Sequence, residues 1–139
     1  MILVDTTVWV DFFSGRDTPQ IEMLESLIAR REDICLCGVI LTEILQGIRD
    51  DKEYADTASA LSNLLFIPMI RETFLLAASI YRTLRAQGIT IRNSVDCMIA
   101  AVCIEHDARL LHNDRDFDSI ATHFDLRVIK SLRDTALSP

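Results

Sequence analysis

Positive charge is scarce in this chain. Lys and Arg number 14 against 21 Asp and Glu, a formal net charge of −7. That balance argues against a nucleic-acid binder that works through a broad basic surface. It leaves room for a nuclease whose bound metal ions carry the positive charge to the phosphate. An acidic surface also suits a basic protein partner. Glycine and proline are sparse, at four and three, and no internal repeat, low-complexity tract or linker is visible. The 139 residues read as one domain, 1–132, long enough to bury a core. A polar tail, 133–139, follows it and is a candidate for disorder.

Other absences narrow the class further. Cys35, Cys37, Cys97 and Cys103 lack zinc-ligand spacing, and no matching Cys/His pair follows them. They are expected to be small core residues in a reducing cytoplasm. Long apolar runs are missing, since Met98 to Ile104 is far too short to span a bilayer. Met1-Ile-Leu-Val-Asp5 has no basic n-region and reaches an acid too early for a signal peptide.

What is present is an alternation of short apolar runs and amphipathic stretches. Met1 to Val4 reads as a fully apolar strand. Thr6 or Thr7 caps a helix through Trp9 to Phe13, stopping at Ser14-Gly15. Pro19 suits the first turn of the next helix, with Ile21, Leu24, Leu27 and Ile28 as its apolar stripe. Ile34 to Cys37 reads as a second strand. Gly38 leads into a helix with Ile40, Leu41, Ile44, Leu45 and Ile48 inward. Lys52 to Leu64 reads as helix, and Leu65-Phe-Ile67 as a short extended piece. Glu72 to Ala86 is helical, and Asn93 or Ser94 caps a helix from Val95 to Glu105. Arg109 to His112 reads as a strand, Arg115 to His123 as a short helix, and Leu126 to Ile129 as a last strand. This alternation argues for an α/β fold, a parallel sheet covered by helices on both faces.

Five acids stand where such runs begin or end: Asp5, Glu43, Asp96, Asp114 and Asp116. In open α/β sheets the carboxyl ends of the strands form the crevice where ligands bind. Acids converging there would repel one another, and an oxygen-ligated divalent cation would relieve that. Each also has a plainer reading. Asp5 suits a helix N-cap. Glu43 borders the polar arc of Thr42, Gln46 and Arg49 and suits solvent. Asn93 and Asp96 have capping-box spacing, although the helix after them is apolar nearly all round. Asn113-Asp-Arg-Asp-Phe-Asp118 is either a pair of alternating metal ligands or an acidic turn opening a helix. Asp11, Asp50, Asp51, Asp56 and Asp107 read as surface acids. Arg82, Arg85, Arg92 and Arg115 lie near the acids in sequence, and each but Arg92 reads best as a solvated charge.

Met1-Ile-Leu-Val-Asp-Thr-Thr-Val-Trp9, Glu43 after a strand, Ser94-Val-Asp-Cys-Met-Ile-Ala-Ala101 and His112-Asn-Asp-Arg-Asp-Phe-Asp118 together resemble a PIN domain. Their order and spacing are similar to those of the VapC toxins of toxin–antitoxin pairs. The resemblance covers essentially the whole chain. It implies a PIN-like α/β/α sandwich and a metal-dependent endoribonuclease, often acting on tRNA or rRNA. It implies that Asp5, Glu43, Asp96 and Asp114 line a Mg²⁺ or Mn²⁺ site, with Asp116 assisting. Thr7, Arg92 and Arg115 are candidates for holding the RNA. It further implies a homodimer and neutralisation by a small VapB antitoxin. One departure is His112, where many relatives carry a hydroxyl residue.

Two other readings compete. A receiver-like signalling domain also joins a small parallel fold to a carboxylate Mg²⁺ site. It would want adjacent acids after the first strand, where Asp5 stands alone, and a phosphoacceptor Asp where Pro68 follows Ile67; Lys130 is its best support. A catalytically inactive PIN interaction module is the other, and the intact acidic set speaks against it.

Overall fold

The structure, a computed structural model, describes residues 1–130. The last two positions of the expected domain and the expected tail at 133–139 lie outside the described residues. The frame is a parallel sheet of β1 (Ile2–Val4), β2 (Ile34–Leu36), β3 (Leu65–Phe66) and β4 (Arg109–Leu111), in the order β3-β2-β1-β4. Every residue of β1 and β2 is buried. Successive strand residues point to opposite faces, so both faces of the central strands are covered. That is why these segments are uniformly apolar and do not alternate. β3 lies at an edge, with Leu65 49% and Phe66 55% exposed.

Seven helices flank the sheet among the described residues: α1 (Thr6–Phe13), α2 (Pro19–Ala29), α3 (Gly38–Gln46), α4 (Asp51–Leu61), α5 (Arg71–Ala86), α6 (Ser94–His106) and α7 (Arg115–His123). Their starts follow local chemistry. Thr18 accepts the Ile21 amide ahead of Pro19, and Asp50 accepts the Glu53 amide. α6 is buried on most sides through Cys97, Ile99, Ala100, Ala101, Val102 and Cys103. Its small residues allow close approach, and α5 packs along it. All four cysteines are buried and unpaired.

Two expectations fail. Leu126 to Ile129 does not form a strand; it makes a single parallel bridge, Leu110 to Val128. The Leu110 amide donates to Arg127 and the Ile129 amide to Leu110, both at 2.9 Å, and the ladder goes no further. Ile28 is not part of the α2 stripe, being 45% exposed. Burial follows the three-residue rows Ile21, Leu24 and Leu27, and Ile28 sits one residue past that row.

What positions the site is the β1–β4 pairing. Val4 pairs with Leu111, and the Asp5 amide donates to the Leu111 carbonyl at 2.9 Å. Two parallel neighbours end at the same edge, so the residues that leave them, Asp5 and the loop 112–114, emerge side by side. α3 packs on both α1 and α6.

Candidate functional site

A cavity of about 240 Å³ opens at that edge. Asp5, Glu43, Asp96, Asp114 and Asp116 all line it, with Thr6, Thr7, Arg92 and Asn93. The fold therefore brings together every acid singled out above, from four separate stretches of chain. Arg115, by contrast, is an exposed residue on α7 and does not line the cavity. Arg82 lines a different hollow along α5, and Arg85 lies over the Tyr81 ring, 5.5 Å from its centre.

Asp5 is 4% exposed. It holds the N-cap position of α1, so the helix starts one residue earlier than a Thr cap would have it. Its side chain makes no capping hydrogen bond. Instead Thr7 Oγ1 donates to its Oδ2 at 3.0 Å. Burial raises its pKa above the ordinary 3.8; the Thr7 hydroxyl and nearby amides offset part of that, and Glu43 adds to it. Glu43 is half-buried and not simply solvated. Its Oε1 accepts from Thr6 Oγ1 at 2.7 Å.

Asp96 lies in the first turn of α6 and is 8% exposed. Capping there falls to Asn93, whose Oδ1 accepts the Val95 amide at 3.0 Å. Burial, then the charges of Asp114, Asp5, Asp116 and Glu43, push the Asp96 carboxyl up to about 7. Asp114 caps α7 by accepting the Asp116 amide at 2.9 Å. The helix-opening reading of Asp114 thus holds beside its place in the cluster. Asp96, Asp114 and Asp116 each offer an oxygen, all within 4.8 Å of one another.

Among the described residues, Arg92 is the cation that lines this cavity. Its Nη2 lies 3.5 Å from Asp114 Oδ1 and its Nε 3.5 Å from Asp116 Oδ2. Its backbone amide donates to Asp116 Oδ2 at 3.3 Å. The side chain is 76% exposed, so these pairs are weak and easily broken. One guanidinium leaves most of the acidic charge unbalanced. Burial first, and that excess second, raise the proton affinity of Asp96, and an all-oxygen donor set would relieve the excess by holding a hard divalent cation. The residues present fit such an ion.

Sequence reasoning passed over Thr6 and Asn93, which stood beside residues it chose. It also left His112 without a role, although its Nδ1 accepts the Asp114 amide at 3.0 Å. Among the described residues no helix is long and apolar enough to cross a membrane.

Comparison with known proteins bears on the whole of this. The family model described as PIN domain matches residues 2–122. A VapC ribonuclease of Mycobacterium bovis is 37% identical over 123 residues, covering 87% of this chain and 92% of that protein. Ribonuclease VapC11 of Mycobacterium tuberculosis matches with the same identity and coverage. Among solved structures, VapBC2 from Rickettsia felis, bound to a DNA fragment from their promoter, aligns with a TM-score of 0.75 at 22% identity. That alignment covers 93% of this chain and 98% of the other.

Proposed function

The chain belongs to the PIN domain family, and from that premise we propose that it is a metal-dependent endoribonuclease, the toxin of a pair neutralised by a VapB-type antitoxin. The observation that carries this reading is the convergence of Asp96, Asp114 and Asp116 oxygens within 4.8 Å in a cavity that Asp5 and Glu43 also line. The receiver-like alternative has no support in the family match.

Asp5, Asp96, Asp114 and Asp116 are the residues that would hold Mg²⁺, with Mn²⁺ as a substitute. When bound, such an ion lowers the pKa of a water and offsets charge developing on the phosphate. Glu43, steadied by Thr6, completes the acidic wall on the α3 side. Thr7 keeps Asp5 aimed by donating to it. An ion held by Asp114 and Asp116 would compete with Arg92 for their charge, and a guanidinium so released would be available to the RNA backbone. Arg115, outside the cavity, serves at most the outer backbone of the substrate. The RNA is a tRNA or rRNA in this reading, and the site of action is the cytoplasm.

A second hollow of about 400 Å³ adjoins the first through Glu43, lined by Val10, Phe13, Ile44 and Ile48 on α1 and behind α3. It supports a seat for an antitoxin segment with an apolar face. The chain acts as a homodimer in this reading.

The test is cleavage of total cellular RNA by the purified chain, with Mg²⁺, with Mn²⁺ and in excess EDTA, followed by mapping of the new ends. Cleavage is expected only with metal and at few sites. Undiminished cleavage in EDTA would overturn the mechanism.

A further inference from the structure

His112 directly follows β4, and its side chain is only 9% exposed. Its ring lies 5.0 Å from that of Phe117, tilted by 50°, and Phe117 is fully buried. Nδ1 accepts the backbone N–H of Asp114 at 3.0 Å. A nitrogen that accepts carries no proton, so the ring proton is on Nε2, which faces Asp118 Oδ1 at 3.4 Å. Asp114 in turn accepts the Asp116 amide, and Asp116 accepts the Arg92 amide. His112, Asp114, Asp116 and Arg92 therefore form a relay in which each side chain holds the next backbone. His112 is its fixed end, because it alone is packed into the core.

We infer that His112 is a positioning residue of the metal centre: through Nδ1 it fixes the turn that aims the Asp114 carboxylate. This rests on reading the acids as a divalent-metal site. A buried histidine with a merely structural role needs only to be satisfied. Here the group it satisfies is the amide of a proposed ligand. A serine or threonine hydroxyl at the same position could accept the same N–H in a short side-chain turn, so imidazole and hydroxyl are alternative ways to close one loop. Partners of this kind, one step behind the ligands, typically change metal affinity by about 10–100-fold when lost.

The experiment is Mn²⁺ binding to the full chain by titration calorimetry, with far-UV circular dichroism and thermal melting as checks of fold. His112→Phe keeps the ring against Phe117 but removes the acceptor. His112→Asn restores an acceptor, since its Oδ1 stands the same one bond from Cγ. We expect His112→Phe to bind Mn²⁺ at least tenfold more weakly while melting cooperatively. His112→Asn is expected to stay within about threefold of the parent chain, a rescue that a packing role would not give. Parent-like affinity in a folded His112→Phe overturns the inference alone. So does a folded His112→Asn that binds tenfold more weakly, even if His112→Phe fails to fold. A parent chain that takes up no Mn²⁺ overturns the metal reading and this inference with it.

Discussion

Replacing Asp96 with Asn should stabilise the metal-free chain, and by an amount that depends on pH. The Asp96 carboxyl is held at about 7, against an ordinary 3.8, first by burial and then by four neighbouring acids. At about 1.4 kcal/mol per tenfold change in proton affinity, that is roughly 4 kcal/mol against the ionised folded form. Solvent and counter-ions reach an open cavity, so about half, roughly 2 kcal/mol, is the working expectation. In the unfolded chain this carboxyl ionises from about pH 4, whereas the folded chain keeps the proton until near pH 7. The folded state binds the extra proton in that window, so stability falls as pH rises through it. The loss is complete above about pH 8. Asn carries no charge at any pH and escapes the loss. In EDTA, Asp96→Asn should therefore exceed the parent by less than about 1 kcal/mol at pH 4.5 and by about 2 kcal/mol at pH 8. At about 3–4 °C per kcal/mol for a chain of this size, the pH 8 gap is roughly 7 °C. The assay is thermal melting followed by emission of Trp9, the one tryptophan of the sequence, which is 3% exposed. Saturating Mg²⁺ should reverse the order, because only the parent binds it well; a ligand at 100 times its Kd adds about 2.7 kcal/mol. A gap of equal size at both pH values, or a less stable variant in EDTA at pH 8, would refute the account of Asp96 as a carboxylate whose charge is opposed by burial and by its acidic neighbours.

Three further outcomes are expected. Thr6→Val removes the hydroxyl that donates to Glu43 at 2.7 Å; the cleavage rate measured on gels should fall about tenfold, or roughly 1.4 kcal/mol, while Thr6→Ser stays near the parent. Leu3→Ala empties a site with no exposure in the central strand and should lower stability by about 2–5 kcal/mol in urea denaturation. An antitoxin segment whose Arg and Lys residues are changed to Ala should bind and inhibit less well in calorimetry and cleavage assays, because it can no longer pair with Asp5, Asp96 or Asp114. Equal inhibition would leave the hollow beside Glu43 as the whole basis of neutralisation.

Much of the frame was legible because its strands are buried on both faces and so read as unbroken apolar runs. Asp5 was legible for the same reason: a carboxylate directly after Ile2-Leu-Val4 has nowhere to go but the strand end. α7 was read to the residue, since its acidic start and strongly two-sided composition agree. Glu43 was ambiguous because its helix offers it both solvent and the cavity, and only the packing of α3 on α1 chooses. Leu126 to Ile129 misled because an apolar run states that a segment is buried, not that a partner strand is long enough to form a ladder. The part played by His112 was invisible for a deeper reason. It depends on where a backbone amide points, which no residue type records.

The pairing of Val4 with Leu111 has a consequence for synthesis. A ribosome makes Asp5, Glu43 and Asp96 well before the loop that bears Asp114 and Asp116. Until β4 has been made and docked beside β1, the growing chain holds scattered acids and no centre. In the proposed reading, a product terminated before Asp114 would lack the centre and would cut no RNA. The docking of β4 beside β1 is, in that reading, the step before which the chain has no centre for an antitoxin to neutralise.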